Sequence, residues 1–229
     1  MQRIHGRSAE WEIYSGMLAR APLVARADGR SFKKVLEECK KPYDMDFAKS
    51  MASAAGSFFV LSGLNPALAF TFSDEISLVF LEAPFGGRVE KIDSLVAGLL
   101  SAALSLDLKK PVSMDCRTIP LCKSEICEYL AERQDEAWRN HVFSYGFYML
   151  RQEGHGPNQA MEMLRGLSEP EIHEIVFKKG INLARTDAWE RRGVMVYRKD
   201  GLISNWDLPL FRAPEGRELI RQIIDSCSG

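Results

Sequence analysis

The sequence predicts an α+β protein built on a ferredoxin-like βαββαβ sheet, and three observations carry that prediction. Residues 67–82, ALAFTFSDEISLVFLE, read as two strands joined by a very tight turn, since Leu68, Phe70 and Phe72 alternate with small or polar residues and Ile76, Leu78 and Phe80 alternate again. Helical periodicity flanks this hairpin on both sides, over residues 45–62 and 88–106. Strand-like runs bracket the whole at 22–28 and 111–117. Strand, helix, strand, strand, helix, strand is the split β-α-β order.

Taken along the chain, residues 1–20 carry scattered charge with Trp11 and Tyr14, and predict a short helix packing on the core. An apolar run, Leu23 onward, ends in Asp28-Gly29-Arg30, where Gly29 is expected to break the strand and permit a sharp turn. Lys40-Lys41-Pro42-Tyr43-Asp44 reads as a loop, with Asp44 an N-cap. Phe47, Met51, Ala54, Ala55, Phe58 and Ser62 then mark one helical face, stopped by Gly63 and Pro66. Pro84 and Gly86-Gly87 close the hairpin. Ile92, Leu95, Val96, Leu99, Leu100 and Ala103 form the second helical face. Beyond Pro120 the chain turns helical: 124–153 begins polar and becomes aromatic, with Gly146 a candidate kink, and 157–178 holds one or two more helices. Two strand-like runs flank Lys199-Asp200-Gly201, a hairpin turn, and 215–226 is a closing helix. The expected division is a catalytic α+β part, 1–120, and a helical part with a basic β-hairpin arm, 121–229.

Composition narrows the class. The chain has 229 residues, 46% of them apolar, enough for a substantial core. The net charge of −1 is no global signature of nucleic-acid binding, so such binding must rest on local patches. Five cysteines at irregular spacing, without a Cys-x-x-Cys pair, argue for reduced thiols in a cytoplasmic protein rather than zinc or disulfides. The N-terminal residues have no apolar signal core and no run is long enough to span a bilayer, so no membrane association is expected. The four histidines show no metal spacing. His155 reads as a satisfied side chain, and His141 and His173 as possible functional groups. Neither a Walker loop nor Gly-x-Ser-x-Gly is present.

The chemistry comes from topology. A right-handed crossover makes strands one and two parallel with strand three between them, which brings the end of strand one beside the turn Ser73-Asp74-Glu75. Asp28 and Asp74 then lie side by side. Two close carboxylates repel, and shared Mg²⁺ removes the repulsion, with oxygen ligands completed by substrate phosphates. Two such ions can activate an attacking oxygen and stabilise a leaving one. Asp28 and Asp74 are the expected ligands, the Gly29 carbonyl is a further one, and Glu75 is either a ligand or a supporting group. A nucleoside triphosphate would sit on the metals, clamped by some of Arg26, Arg30, Lys33, Lys34, Lys40 and Lys41. Ser31 and Phe32 could offer backbone amides to phosphates and a surface under a base. The competing readings are an ordinary Asp-Gly turn, a solvated Ser-Asp-Glu turn and a solvated helix face at Lys33 and Lys34. From Lys178 to Lys199 there are seven Lys or Arg against two acids, interleaved with Trp189 and Tyr197. That mixture suits RNA backbone and unpaired bases, or else a β-arm at a subunit interface.

Arg26-Ala27-Asp28-Gly29-Arg30-Ser31-Phe32, Lys41-Pro42-Tyr43-Asp44 and Phe72–Phe80 together resemble the tRNA(His) guanylyltransferase family. Asp115-Cys116-Arg117, Glu132-Arg133-Gln134-Asp135 and Gly180-Ile181-Asn182 follow in that family's order, so the likeness covers roughly 20–200. The resemblance implies a palm-like catalytic domain adding nucleotides in the 3′-to-5′ direction at a tRNA 5′ end. It implies two Mg²⁺ held by Asp28, the Gly29 carbonyl and Asp74, nucleotide contacts from Asp28 to Lys33 and at Ser73, and a homodimer or homotetramer. Where the eukaryotic histidine-tRNA enzymes carry His-Ile-Asn-Asn, this chain reads Trp138-Arg139-Asn140-His141, and where Lys-Asn-Glu is expected it reads Ile172-His173-Glu174. Those departures resemble the archaeal and bacterial like-protein branch, a template-dependent repair polymerase for 5′-truncated tRNA. It would use ATP to activate the tRNA 5′-phosphate and then add GTP or another NTP. Arg133, Gln134, Asn140, Arg191 and Arg192 are the candidate tRNA contacts. The alternatives are addition of the extra 5′ guanylate to histidine tRNA, a palm-fold nucleotide cyclase and a non-catalytic tRNA-binding module.

Overall fold

A computed structural model describes residues 11–227. Its strands are β1 (Leu23–Arg30), β2 (Leu68–Phe72), β3 (Glu75–Phe80), β4 (Ser113–Pro120), β5 (Val194–Arg198) and β6 (Leu202–Asn205). Its α-helices are α1 (Phe32–Leu36), α2 (Met45–Leu61), α3 (Val89–Leu108), α4 (Ile126–Gln152), α5 (Pro157–Leu164), α6 (Glu169–Lys178), α7 (Ala188–Arg192) and α8 (Pro214–Ser226). The strands form one antiparallel sheet in the order β4-β1-β3-β2-β5-β6. Its first four strands have the arrangement expected from the βαββαβ order, and the hairpin of the second half continues it beyond β2.

Alternation along the strands decides which layer each residue joins. Ala25, Ala27, Ala69, Ile76, Leu78 and Val196 point to one face, where α2 and α3 cover them with Met51, Phe58, Ile92 and Leu100. Val24, Leu68, Phe70, Val79 and Met195 point to the other, covered by Ile126 and Leu130 of α4 and Ile220 and Ile224 of α8. Every residue of β2 and β3 is therefore buried. The far half of α4 leaves the sheet and packs with α5 and α6 around a third cluster that includes Val142, Leu150, Leu164 and Val176.

Local chemistry fixes the helix ends. The Asp44 carboxylate accepts from the amides of Asp46 at 2.8 Å and Phe47 at 3.3 Å, the N-cap expected for α2. Ser168 and Glu171 make a reciprocal capping box on α6. The hairpin turn lies at Asp200-Gly201, both at positive φ.

Three expectations change. Among the described residues, 12–20 form a turn and a single bridge from Leu18 to Arg88, not a helix; Trp11 and Tyr14 are exposed rather than packed on the core. The rest of that expectation lies outside the described residues. Gly29 does not break β1, which runs through it to Arg30, and the turn comes at Ser31 with φ 59°. The short α1 follows, too brief to show periodicity. Gly146 does not kink α4. It permits close packing instead, since a Cβ there would lie 2.7 Å from Ile172 Cγ2.

Candidate active site

β1 and β3 are neighbours, with Asp28 opposite Glu75 in the register. The Gly29 amide donates to the Asp74 carbonyl at 3.0 Å, fastening the end of β1 to the turn of the β2–β3 hairpin. The approach is tight. A Cβ on Gly29 would meet the Phe32 ring at 2.5 Å and Asp74 Cβ at 2.9 Å. Glycine is thus required by what lies beside it rather than by its own backbone angles. The turn itself is Ser73-Asp74, with Ser73 at φ 48° and its hydroxyl donating to Asp74 Oδ1 at 3.1 Å.

Burial, and more weakly the like charge of Asp28, push the Asp74 carboxyl above the usual carboxylate range. Glu75 is not at the solvated tip: it opens β3 and is buried. Arg133 Nε reaches its Oε1 at 3.2 Å and Arg26 Nε its Oε2 at 4.0 Å. Burial outweighs both guanidiniums and pushes Glu75 up to about 7. Ser77 Oγ donates to Glu75 at 3.3 Å and also lies 3.3 Å from the Tyr129 hydroxyl.

Asp28 has cationic company as well. Arg26 Nε is 3.7 Å from its Oδ2, and Arg117 Nη2 is 3.4 Å from the same oxygen while 3.3 Å from Asp115 Oδ1. The pairing of β1 with β4 places Arg26 opposite Arg117 and Asp28 opposite Asp115. A row of acids therefore faces a row of arginines on the sheet surface.

Among the described residues no three His, Cys, Asp or Glu side chains gather as a ready metal site. Asp28, Asp74 and the Gly29 carbonyl nevertheless form an all-oxygen donor set. Mg²⁺ commonly uses one or two carboxylates, with waters and substrate phosphates completing its shell. The like charge on Asp74 from Asp28 is one that a divalent cation would relieve. These residues fit the ion. Glu75, committed to Arg133 and Arg26, fits a supporting role better than a ligand's.

A cavity of about 290 Å³ adjoins Ser73, between the start of α2 and the middle of α4. Its walls include Lys40, Lys41, Tyr43, Asn140, Tyr148 and Trp189. Lys41 Nζ donates to the Leu36 carbonyl and lies 5.2 Å from the centre of the Tyr148 ring. Tyr43 packs against His141, Tyr145 and Trp189 at centroid distances of 5.4, 6.1 and 6.0 Å. Tyr145 donates its hydroxyl to Glu190 at 2.8 Å, so the wall is braced from behind.

The predicted residues divide. Arg26, Asp28, Gly29, Ser73, Asp74, Glu75 and Arg133 come together where β1 ends beside the β2–β3 turn. Lys41 and Asn140 line the adjoining cavity. Arg30, the last residue of β1, and Ser31, Lys33 and Lys34 just beyond it are exposed. Phe32 offers no surface under a base, because its ring is buried against Phe47; its backbone amide remains available to that reading. Gln134 is no surface contact for RNA either. It is 4% exposed, donates to the Arg192 and Pro209 carbonyls and accepts from the Phe211 amide, so its amide group joins three segments. The 178–199 cations are less free than their number suggests. Lys178 pairs with Glu174, Lys179 with Glu153, and Arg198 with the Phe59 carbonyl. Arg117, Tyr129 and Tyr145 escaped the sequence reading of the site. Only Arg117 carried a signal, its place in the run Asp115-Cys116-Arg117, which the resemblance singled out without assigning it to the site.

A palm-like α+β domain with two aspartates meeting at the end of its first strand and the tip of its central hairpin defines the class. A model of the family described as tRNAHis guanylyltransferase matches residues 6–130, and the chain belongs to that family. It is 26% identical over 192 residues to tRNA(His) guanylyltransferase 1 of Arabidopsis thaliana, and 26% identical over 226 residues to the probable tRNA(His) guanylyltransferase of Mus musculus. These matches cover 77% and 91% of the chain, but only 34% of the plant protein against 75% of the mouse one. The chain thus spans about a third of the plant relative it matches. Among solved structures, a bacterial tRNA(His) guanylyltransferase-like protein in complex with ATP superposes with a TM-score of 0.79 at 22% identity, covering 95% of this chain and 97% of that one. The Saccharomyces cerevisiae tRNA(His) guanylyltransferase superposes with a TM-score of 0.72 at 25% identity, covering 87% and 94%.

Proposed function

We propose that this protein is a nucleotidyltransferase that repairs the 5′ ends of truncated tRNAs by template-dependent addition in the 3′-to-5′ direction. The observation that carries the reading is the meeting of Asp28 and Asp74 beside a cavity walled by Lys40, Lys41 and aromatic rings. Family membership supports it. So do the ligands of the bacterial relatives, solved in complex with ATP and with GTP.

The reaction has two stages. The tRNA 5′-monophosphate attacks the α-phosphate of ATP, pyrophosphate leaves, and a 5′-adenylylated end forms. The 3′-hydroxyl of an incoming NTP then attacks the tRNA 5′-phosphate and AMP leaves. The new 5′ end carries a triphosphate. Pairing with the opposite strand of the acceptor stem selects the NTP. Asp28, Asp74 and the Gly29 carbonyl would hold two Mg²⁺, which when bound supply Lewis-acid stabilisation of the attacking and leaving oxygens. Arg133 and Arg26 hold the carboxylate of Glu75, the residue after Asp74, and Glu75 in turn keeps both guanidiniums in place. Lys40 and Lys41 add positive charge where a triphosphate would lie.

The test uses a tRNA that lacks its first nucleotide and bears a 5′-monophosphate, with ATP, Mg²⁺ and each labelled NTP in turn. Incorporation that follows the opposing base, and disappears in Asp74→Ala, supports the reading. Addition of G alone, and only to histidine tRNA, would assign guanylate addition instead. Turnover of NTP without any tRNA would assign a cyclase.

A further inference from the structure

Arg117 and Asp115 have no part in the mechanism above, yet they stand beside Asp28 on the neighbouring strand. Across β1 and β4 like charges face each other directly, Arg26 opposite Arg117 and Asp28 opposite Asp115. Such pairs destabilise a sheet, and a long side chain can offset them by reaching diagonally. Arg117 does so, toward Asp28. We infer that Arg117 is a counter-ion for Asp28 that a divalent metal displaces, and that Asp115 is the acceptor that receives the displaced guanidinium. Arg117 is thus a positioning residue that sets the affinity of the Asp28–Asp74 site for its metal. From the proposed function the inference takes only Asp28 as a metal ligand.

The guanidinium is shared between two acids. Its Nη2 lies 3.4 Å from Asp28 Oδ2 and 3.3 Å from Asp115 Oδ1, to which it donates a hydrogen bond. Among the described residues no other carboxylate lies within ion-pair distance of Arg117. The Arg117 and Asp115 side chains are both 54% exposed, so water can replace whichever contact is given up. Arg26 lacks that freedom. Its side chain is 18% exposed, with Nε 3.7 Å from the same Asp28 oxygen and 4.0 Å from Glu75 Oε2. That Nε is buried without a hydrogen-bond partner. Arg26 is held between acids of β1 and β3, whereas Arg117 can leave Asp28 and keep a carboxylate.

Metal and guanidinium compete for one group. Mg²⁺ binds carboxylate oxygens at roughly 2.0–2.1 Å, closer than any guanidinium nitrogen approaches, and its two charges repel a neighbouring cation. The ion therefore prevails once it is abundant. In its absence Arg117 offsets the repulsion between Asp28 and Asp115. The contest is mild, because exposed ion pairs correspond to a factor of roughly 1.5 to 5 in an equilibrium constant.

The test titrates the nucleotide-free protein with Mn²⁺, which suits the same oxygen ligands as Mg²⁺, and reads the free ion by electron paramagnetic resonance. Arg117→Gln should tighten binding about threefold to fivefold, and Asp115→Asn should weaken it about twofold to threefold. Once Arg117→Gln is present, Asp115→Asn should have no effect, since Asp115 acts only through the guanidinium. A bare change of net charge predicts instead that the Asp115→Asn effect persists in the double variant, and that outcome overturns the inference. So does weaker binding in Arg117→Gln, which would make Arg117 a support of the ion. Unchanged affinity in either single variant, or no binding of Mn²⁺ by the wild type, overturns it too. Thermal melts check folding independently: Arg117→Gln should melt below the wild type in EDTA, and the deficit should shrink in saturating Mn²⁺. If the affinities behave as described but no nucleotide is transferred to any tRNA, the inference stands and the transferase reading falls. If transfer proceeds while Arg117→Gln binds the ion as the wild type does, the reverse holds.

Discussion

Gly29 and Asp74 are joined backbone to backbone, amide to carbonyl, at 3.0 Å. The bond spans 45 positions of sequence and lies where β1 ends and the β2–β3 hairpin turns. It fixes Asp28 relative to Asp74, so the spacing of the two carboxylates is set by main chain rather than by side-chain choice.

Substituting Gly29 by Ala should therefore damage the site directly. The new methyl would lie 2.5 Å from a Phe32 ring that is itself 2% exposed and has little room to retreat. Overpacking of this kind costs about 1–3 kcal/mol. Nucleotidyl transfer should fall by more than the melting shift accounts for, as seen by comparing turnover at a temperature where the variant remains folded.

Asp74→Asn should separate charge from structure. Burial and Asp28 both disfavour the Asp74 carboxylate, so without divalent ions the variant should melt at or above the wild-type temperature. Saturating Mg²⁺ should stabilise the wild type, by about 2.7 kcal/mol at a hundred times its dissociation constant. The variant should gain little from the ion. Calorimetric scans with and without Mg²⁺ read both effects.

Arg133→Ala removes the nearer cation from Glu75. Breaking a buried pair costs about 3–5 kcal/mol when the remaining charge persists. Glu75 titrates at about 7 with Arg133 present, and higher without it. At pH 6 the carboxyl is largely protonated with or without Arg133 and the penalty is small; at pH 8 the wild-type carboxylate is largely ionised and stabilised by Arg133, so losing that partner costs more. Urea unfolding at the two values should show a larger loss at pH 8.

His141 should make the protein sensitive to acid. It is fully buried, and burial pushes its pKa down to about 4 against an ordinary 6.5. The unfolded chain binds the proton more readily, so stability is complete above pH 6.5 and falls as pH drops toward 4. The loss should approach roughly 3 kcal/mol. His141→Gln should flatten that stretch of the profile.

Two helix glycines should respond oppositely to alanine. Gly98 of α3 has nothing within 4 Å of its missing Cβ, and Gly98→Ala should stabilise by about 0.5–1 kcal/mol. Gly146 faces Ile172 at 2.7 Å, so Gly146→Ala should destabilise despite the same gain in propensity. Parallel melts compare them.

Most of the sheet was legible because alternation and turn chemistry are local. β2, β3, both crossover helices and the hairpin at Asp200-Gly201 stand where the periodicity placed them. The meeting of Asp28 with Asp74 followed from strand order alone, since handedness left one arrangement. The errors were of two kinds. Gly29 and Gly146 looked like breakers, yet Gly29 answers to the Phe32 ring and to Asp74, and Gly146 to Ile172, contacts that the fold makes and no local pattern reveals. Gln134 and Phe32 looked available for ligands, and tertiary packing consumed them. The cavity was invisible for the same reason, being made where α4 passes the start of α2.

The pairing of β2 with β5 has a further implication for how the chain reaches this state. Residues 68–71 bond to 194–197, partners more than a hundred positions apart, and this ladder completes the sheet. Until the C-terminal third has emerged from the ribosome, the β2 border remains an unoccupied template of amides and carbonyls flanked by Leu68 and Phe70. Such borders recruit other chains. Long-range closure is also slow, which prolongs the exposure. Premature termination before residue 194 should therefore yield insoluble material rather than a smaller soluble protein, even though the first four strands and both crossover helices would be present.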